Sequence, residues 1–384
     1  MPRLLPHWAL AALAVVVVPH VAASQAARWI SPPVEIRVPK APVTAPIEGG
    51  AALAYELHLT NWAPQAFNVQ RVEVVSGSSG SVLLTLTDST LARSFGRPGM
   101  VPSSPADRTR LGGGTRGVTW LWVPVDAQNP PSTVRHRITV SEASGTDSGR
   151  THVFESRAVA VSRDVAVIGP PLRGGAWFTA NGPANASGHR RALIPIGGIP
   201  TIAQRFAIDY VKVDPAGRSV NGDRARNENF YAQNADAIAV ADGIVVATKD
   251  SIPENIPGPS SRAVPITLET VGGNHVILEI GGGRYAFYAH LRPGTLRVKT
   301  GDRVRRGQVL GLVGNSGNST EPHLHFHLSD GNSPLGSEGI PYVHESFELV
   351  GRCTGLLSGC TRLPAPERRT REMPAGNMVI RFPE

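Results

Sequence analysis

At 384 residues, the chain is long enough for two domains of about 150 residues, each able to bury its own core. Its 38 Lys plus Arg against 30 Asp plus Glu leave a formal charge of +8, which suits a solvated basic surface or an anionic wall or membrane surface as partner. No aromatic-basic recognition motif accompanies that charge, so nucleic acid is not expected. The two cysteines are too few for a thiolate zinc site without two further ligands nearby.

The chain opens on Met1-Pro2-Arg3, followed by the apolar run Ala9 to Val18 and small residues at Val21-Ala22-Ala23 and Ser24-Gln25-Ala26. The run is shorter than the ~20 residues of a membrane span, so residues 1–26 read as a signal peptide and the remainder as an exported, soluble protein. No later stretch is long and apolar enough for a transmembrane segment. The expected location is periplasm, cell envelope or medium.

Residues 27–167 read as short strands separated by turn clusters. Tyr55-Glu56-Leu57-His58-Leu59 alternates in polarity, as do runs at 69–75, 82–87, 118–125, 133–140 and 152–161, a period-2 pattern without a helical one. Punctuation at Ser76 to Gly80, Leu111 to Thr115 and Ala143 to Gly149 predicts an immunoglobulin-like β-sandwich. Residues 168–188, with Gly169-Pro170-Pro171, read as a linker. Glycine is denser beyond it, predicting a compact antiparallel sheet over 189–350, so the fold class is all-β. Ser251 to Val264, rich in proline and serine, reads as a surface insertion. The tail 351–384 holds Cys353 and Cys360, close enough for a local disulfide in an oxidising compartment.

The most informative stretch is Pro322-His323-Leu324-His325-Phe326-His327. On a strand its three imidazoles stand on one face, with Leu324 and Phe326 on the other. Imidazole is a frequent zinc ligand and titrates near neutral pH, so such a row suits a metal or general-base site.

Further motifs surround it: Asp242-Gly243, Gly273-Asn274, Tyr288-Ala289-His290-Leu291, Gly301 to Gln308 (GDRVRRGQ) and Gly314 to Thr320 (GNSGNST). In this order they resemble the lysostaphin/LytM-type zinc metallopeptidases, which cut peptide cross-links of bacterial peptidoglycan on a duplicated-hybrid-motif-like β core. The resemblance covers roughly residues 189–330. It implies zinc as cofactor, peptidoglycan peptides as partners, Asp209 and His325 as metal ligands, and His290 and His323 as the catalytic pair. The family's first ligand, a histidine four residues before the aspartate, does not carry over: Arg205 stands there, and a guanidinium has no lone pair to give.

His189 is the nearest substitute. A hairpin turning at Gly197 to Pro200 would set it across from about Ile208, beside Asp209, with Cβ atoms about 5 Å apart directly opposite or about 7–8 Å diagonally. His327 continues the row and suits a role behind a ligand. The resulting expectation is an exported zinc metalloendopeptidase acting on peptidoglycan. A catalytically silent wall-binding or hydrolase-regulating module is the alternative that a missing ligand raises. GDRVRRGQ also resembles biotinyl and lipoyl carriers, but no Met-Lys-Met attachment centre is present.

Overall fold

A computed structural model describes residues 33–384 apart from 105, 144–147 and 356. The expected signal peptide lies outside the described residues. Among those described, no helix is long and apolar enough to cross a membrane. The structure is all-β, with sheets that are almost wholly antiparallel.

The amino-terminal half forms two sheets. One runs Val34–Arg37, Gly50–Asn61, Arg116–Val125 and Phe95–Gly96, with Thr44–Ile47 also paired to Gly50–Asn61; the other runs Thr151–Glu155, Thr133–Glu142, Phe67–Ser76 and Val82–Thr87. Alternation is visible in Thr133–Glu142, where Val134, His136, Ile138 and Val140 are fully buried. The sheets meet where the Tyr55 hydroxyl lies 2.8 Å from His136 Nε2.

Gly50–Asn61 departs from the one-sided burial that its alternation suggests. From Ala51 to Asn61 both faces are buried. Leu53, Tyr55, Leu57 and Leu59 form one period-2 set, while Ala52 and Ala54 join the core of the carboxy-terminal half. Glu56 continues the Ala52–Ala54 face. Glu56 therefore points at a second protein layer instead of at water.

That layer is a sheet ordered Ala166–Ile168, Tyr342–Arg352, Met378–Arg381, Trp177–Ala180, Ile208–Lys212, Leu324–Ser329, Tyr285–Leu291, Asn274–Glu279, Gly243–Lys249 and Arg303–Val304, with Thr361–Glu372 paired to Tyr342–Arg352. Four of its members lie outside residues 189–350, and two of these sit in the interior of the sheet. Trp177–Ala180, inside the segment read as a linker, is a buried strand next to Ile208–Lys212. Met378–Arg381, in the carboxy-terminal tail, is inserted between Tyr342–Arg352 and Trp177–Ala180. Both are four-residue strands, too short for a period to be read from them. Cys353 and Cys360 form a disulfide.

The two halves are joined by a buried ionic cluster. Glu56 pairs with Arg190 and with Arg205, whose Nη2 lies 2.7 Å from Glu56 Oε2; Arg205 Nη2 also lies 2.5 Å from Glu338 Oε2. Arg190 further donates to the carbonyls of Tyr55 at 2.9 Å and Leu121 at 3.2 Å. Arg190, Arg205 and Glu56 are at most 3% exposed. Removing one partner of such a buried pair strands the other charge, at a cost of about 3–5 kcal/mol.

Candidate metal and catalytic site

Register in the central sheet assembles most of the site. Ile208–Lys212 pairs with Leu324–Ser329 so that Asp209 lies directly opposite His325, and Ala289 on the next strand lies opposite His325 from the other side. Leu324, Phe326 and Leu328 enter the apolar core with Ile208 and Tyr210. His323, His325 and His327 consequently share the other face with Asp209, as the period of the strand demands.

His290 reaches the same face by a different route. Tyr288 points into the core and Ala289 away from it, so plain alternation would turn His290 toward the core. Its backbone is instead left-handed, φ 66°, an uncommon conformation for a residue with a side chain and one that concentrates at functional sites. The ring ends 4.9 Å from that of His323 and 5.8 Å from that of His325, centroid to centroid.

The glycine-rich motifs brace this arrangement. A Cβ on Gly273 would meet the Ser316 backbone at 2.5 Å, and Gly273 itself has φ 58°, so only glycine fits there. Ser316 Oγ accepts from the Asn274 amide at 2.9 Å and donates to the Leu291 carbonyl at 2.8 Å. The Ser316 carbonyl is thereby fixed 2.8 Å from His290 Nδ1.

His189 arrives by neither route. The hairpin formed by Ile194–Ile196 and Ile199–Thr201 does not include it; it sits on a one-turn helix, Gly188–Arg191. The expected pairing across from Ile208 is therefore corrected: the neighbours of Ile208–Lys212 are Trp177–Ala180 and the histidine strand, which leaves no edge for a third. His189 nevertheless ends beside Asp209, with Nε2 3.5 Å from Asp209 Oδ2. One donor atom from each of His189, Asp209 and His325 lies within 4.8 Å of the others. Arg205 turns away to Glu56 and Glu338.

Hydrogen-bond partners decide which nitrogens are free. Carbonyls only accept, so Nδ1–H of His189 donates to Asn181 at 3.1 Å, that of His290 to Ser316 at 2.8 Å and that of His323 to Glu321 at 2.7 Å, leaving Nε2 available on each neutral ring. His325 is reversed. Its Nδ1 faces Asp209 Oδ1 at 2.8 Å and its Nε2 lies 3.0 Å from His327 Nδ1. His327 is fully buried, with no partner among the described residues for its own Nε2. Asn181, which no sequence motif marks, donates to Asp209 Oδ2 at 2.8 Å.

These surroundings push the groups apart. Burial opposes ionisation of Asp209, but the His189 and His323 imidazoles, with hydrogen bonds from His323 and His325, hold its carboxyl well below the usual carboxylate range. Burial, reinforced by His323 and His325, pushes His290 well below the ordinary imidazole value. For His323 burial pulls downward, yet attraction to Asp209 and the bond to the Glu321 carbonyl leave it raised. Burial likewise lowers His327, in its case strongly.

The donor set suits zinc, which takes imidazole nitrogen and carboxylate oxygen and is held by three protein ligands where a fourth position must stay open. The candidate donors lie 3.5 Å apart for His189 Nε2 and Asp209 Oδ2, and 2.8 Å apart for His325 Nδ1 and Asp209 Oδ1. An open cavity of about 490 Å³ lies over Asp209 and His323, walled by Asn181, Arg218, Arg224 and Glu321. A larger one, about 580 Å³, lies by Lys212, Arg362 and Arg381 and touches none of the histidines. His275 and His344 stay out of the site; His344 is fully buried between Tyr210 and the Gly169 carbonyl.

Residues 228–336 match the sequence profile of peptidase family M23. That stretch is similar to the M23 peptidases. The chain is 46% identical over 56 residues to glycyl-glycine endopeptidase ALE-1 of Staphylococcus capitis, covering 14% of this chain and 15% of that protein. It is 45% identical over 56 residues to peptidoglycan DD-endopeptidase ShyA of Vibrio cholerae, 15% of this chain and 13% of that one, and equally to lysostaphin of Staphylococcus simulans, at 14% and 11%. The chain thus spans less than a sixth of the length of these relatives. Among solved structures, the catalytic domain of the prophage-encoded M23 protein EnpA from Enterococcus faecalis aligns over 46% of this chain and 93% of its own, with 22% identity and a TM-score of 0.26. A zinc-containing peptidase from Vibrio cholerae aligns over 80% and 83%, with 14% identity and a TM-score of 0.26. Scores that low add nothing to the sequence matches. The M23 region includes His290, His323 and His325; Asp209 and His189 precede it, and their place in the site rests on geometry.

Proposed function

We propose that the protein is an exported zinc metalloendopeptidase that hydrolyses peptide bonds in bacterial peptidoglycan. The observation that carries this reading is the convergence of His189, Asp209 and His325 on one point, with two further imidazoles on the same face. The His189 imidazole, with Nε2 3.5 Å from Asp209 Oδ2, offers a substitute for the missing family histidine and so favours the enzyme over a silent module. The wall-acting names of the curated relatives support the substrate class.

In this mechanism His189, His325 and Asp209 would hold the ion. Zinc bound there would supply Lewis acidity and make water a stronger nucleophile near neutral pH. His325 keeps its orientation through His327, as an outer-shell partner does for a ligating imidazole. His290, neutral and with a free Nε2, accepts a proton from the attacking water. His323, its Nδ1–H held by the Glu321 carbonyl, donates toward the oxyanion or the departing amine. The cavity beside His323 receives one arm of the substrate, with Arg218 and Arg224 at its wall.

Elemental analysis of the purified protein, followed by digestion of isolated peptidoglycan with and without chelator, tests the proposal. One zinc per chain and new amino termini that vanish with chelator are expected. A chain that reconstitutes with zinc yet releases no peptide fragments would refute the enzyme reading.

A further inference from the structure

Register fixes the strand-borne donors, whereas His189 stands on no strand; its ring and the Ser187 hydroxyl donate to the Asn181 carbonyl, just past the end of Trp177–Ala180, at 3.1 and 2.8 Å. Its helix has four residues and no side-chain cap, and a single turn has almost no stability of its own. The rest of what holds it comes from the amino-terminal half. Arg190, the next residue, is fully buried in that half, paired with Glu56 and bonded to the Tyr55 and Leu121 carbonyls. Arg191 lies 4.4 Å over the Trp120 ring and donates to the Arg93 carbonyl at 2.9 Å. Asn185, just before the turn, donates to the Trp120 carbonyl at 3.0 Å. Apart from the bonds to the Asn181 carbonyl and a local one from Arg191 to the Asn185 carbonyl at 2.7 Å, the anchors on either side of His189 reach the Gly50–Asn61 and Arg116–Val125 strands or the segment beside them.

We propose that the amino-terminal sheet is a working part of the metal site, with Glu56, acting through Arg190, as the positioning residue that holds His189 in the donor set. Arg205 belongs to the same anchor. At the position where the family resemblance calls for a ligand, it binds Glu56 and Glu338 instead, so the side chain that vacates the metal also secures the surface from which the substitute is presented. Arg190 and His189, adjacent in sequence, divide the labour: one grips the amino-terminal sheet while the other faces Asp209. The inference rests on the metal-binding reading above, and its partner chemistry is that of a divalent cation with imidazole and carboxylate ligands.

The test uses the full chain and two readouts: zinc affinity by competition with a chromogenic chelator, and amide hydrogen exchange over residues 185–193. Arg190→Met should lower zinc affinity about ten- to a hundredfold and speed exchange over 185–193, with exchange in the Leu324–Ser329 strand unchanged. In a His189→Ala background the same substitution should cost nothing further, since it acts only through His189. Unchanged affinity, or an equal loss in both backgrounds, overturns the proposal. Should Arg190→Met not fold, Glu56→Gln/Arg190→Met removes one charge of each sign, leaves Arg205 paired with Glu338, and is read in the same way. A wild-type chain that takes up no zinc overturns the metal reading. The anchor is then judged by exchange alone, and exchange over 185–193 no faster in the variant than in wild type overturns that as well.

Discussion

The two sides of the candidate site are built on opposite principles. Asp209, His323 and His325 are placed by the ladder of adjacent strands, where a shift of one residue would carry all of them to the wrong face. His189 is placed by a short turn pinned through buried charges to another half of the molecule. Ladder-placed groups come at no added cost once the sheet forms. A turn-placed ligand depends on contacts that the sheet does not supply, so the two sides should respond differently to perturbation.

The largest effect is expected on the ladder side. His325→Ala should abolish peptidase activity and weaken zinc by more than about a hundredfold, beyond what loss of an outer-shell partner costs, whereas His189→Ala should weaken it about ten- to a hundredfold. Chelator competition on both variants decides the matter; equal losses would erase the contrast. Next in size, His290→Gln should lower kcat by about 10²- to 10⁴-fold with zinc content kept, and single-turnover kinetics beside elemental analysis would separate chemistry from metal loss. A smaller effect is expected from His327→Phe, which removes the partner of His325 Nε2: about a tenfold drop in zinc affinity, measurable by the same competition.

The smallest contrast is one of pH. His136, in the amino-terminal half, and His344, in the carboxy-terminal half, are each held by burial at about 4 in the folded chain. An imidazole free in the unfolded chain titrates near 6.5, so between about 4 and 6.5 the unfolded state binds more protons and stability falls as pH falls. Each group contributes at most on the order of 3 kcal/mol, fully present above about pH 6.5 and lost on descending to about 4. Melting temperatures at pH 7 and 5 should show the decline. His344→Gln should flatten it in part, and an unaltered slope would mean that acid acts elsewhere.

Much of the ladder side was legible in the sequence because its information is local. The period of PHLHFH fixes a face, and the resemblance carried by the surrounding motifs names Asp209, His290, His323 and His325 as the residues to find there. The left-handed backbone of His290 was not legible, since alternation predicts the other face. His189 was reachable by elimination, as a histidine near a vacancy, but its hairpin was wrong: Gly188–Arg191 is a turn whose shape depends on Glu56, and no local pattern joins residues so far apart. The all-β class followed from strand periodicity. The double burial of Gly50–Asn61 did not, because a charged residue at a period-2 position reads as solvent-facing until a buried partner for it is found.

The insertion of Met378–Arg381 between Trp177–Ala180 and Tyr342–Arg352 has a consequence for how the molecule is made. A ribosome delivers residues 177–180 long before residues 378–381. Until the later segment emerges, the earlier strand has an open edge on the side away from Asp209, and such edges invite pairing with other chains. Closure across so much intervening sequence is slow. The newly made polypeptide therefore passes through an interval in which its carboxy-terminal sheet cannot be finished, however complete the upstream portion is, and any truncation upstream of residue 378 would leave it in that unfinished state.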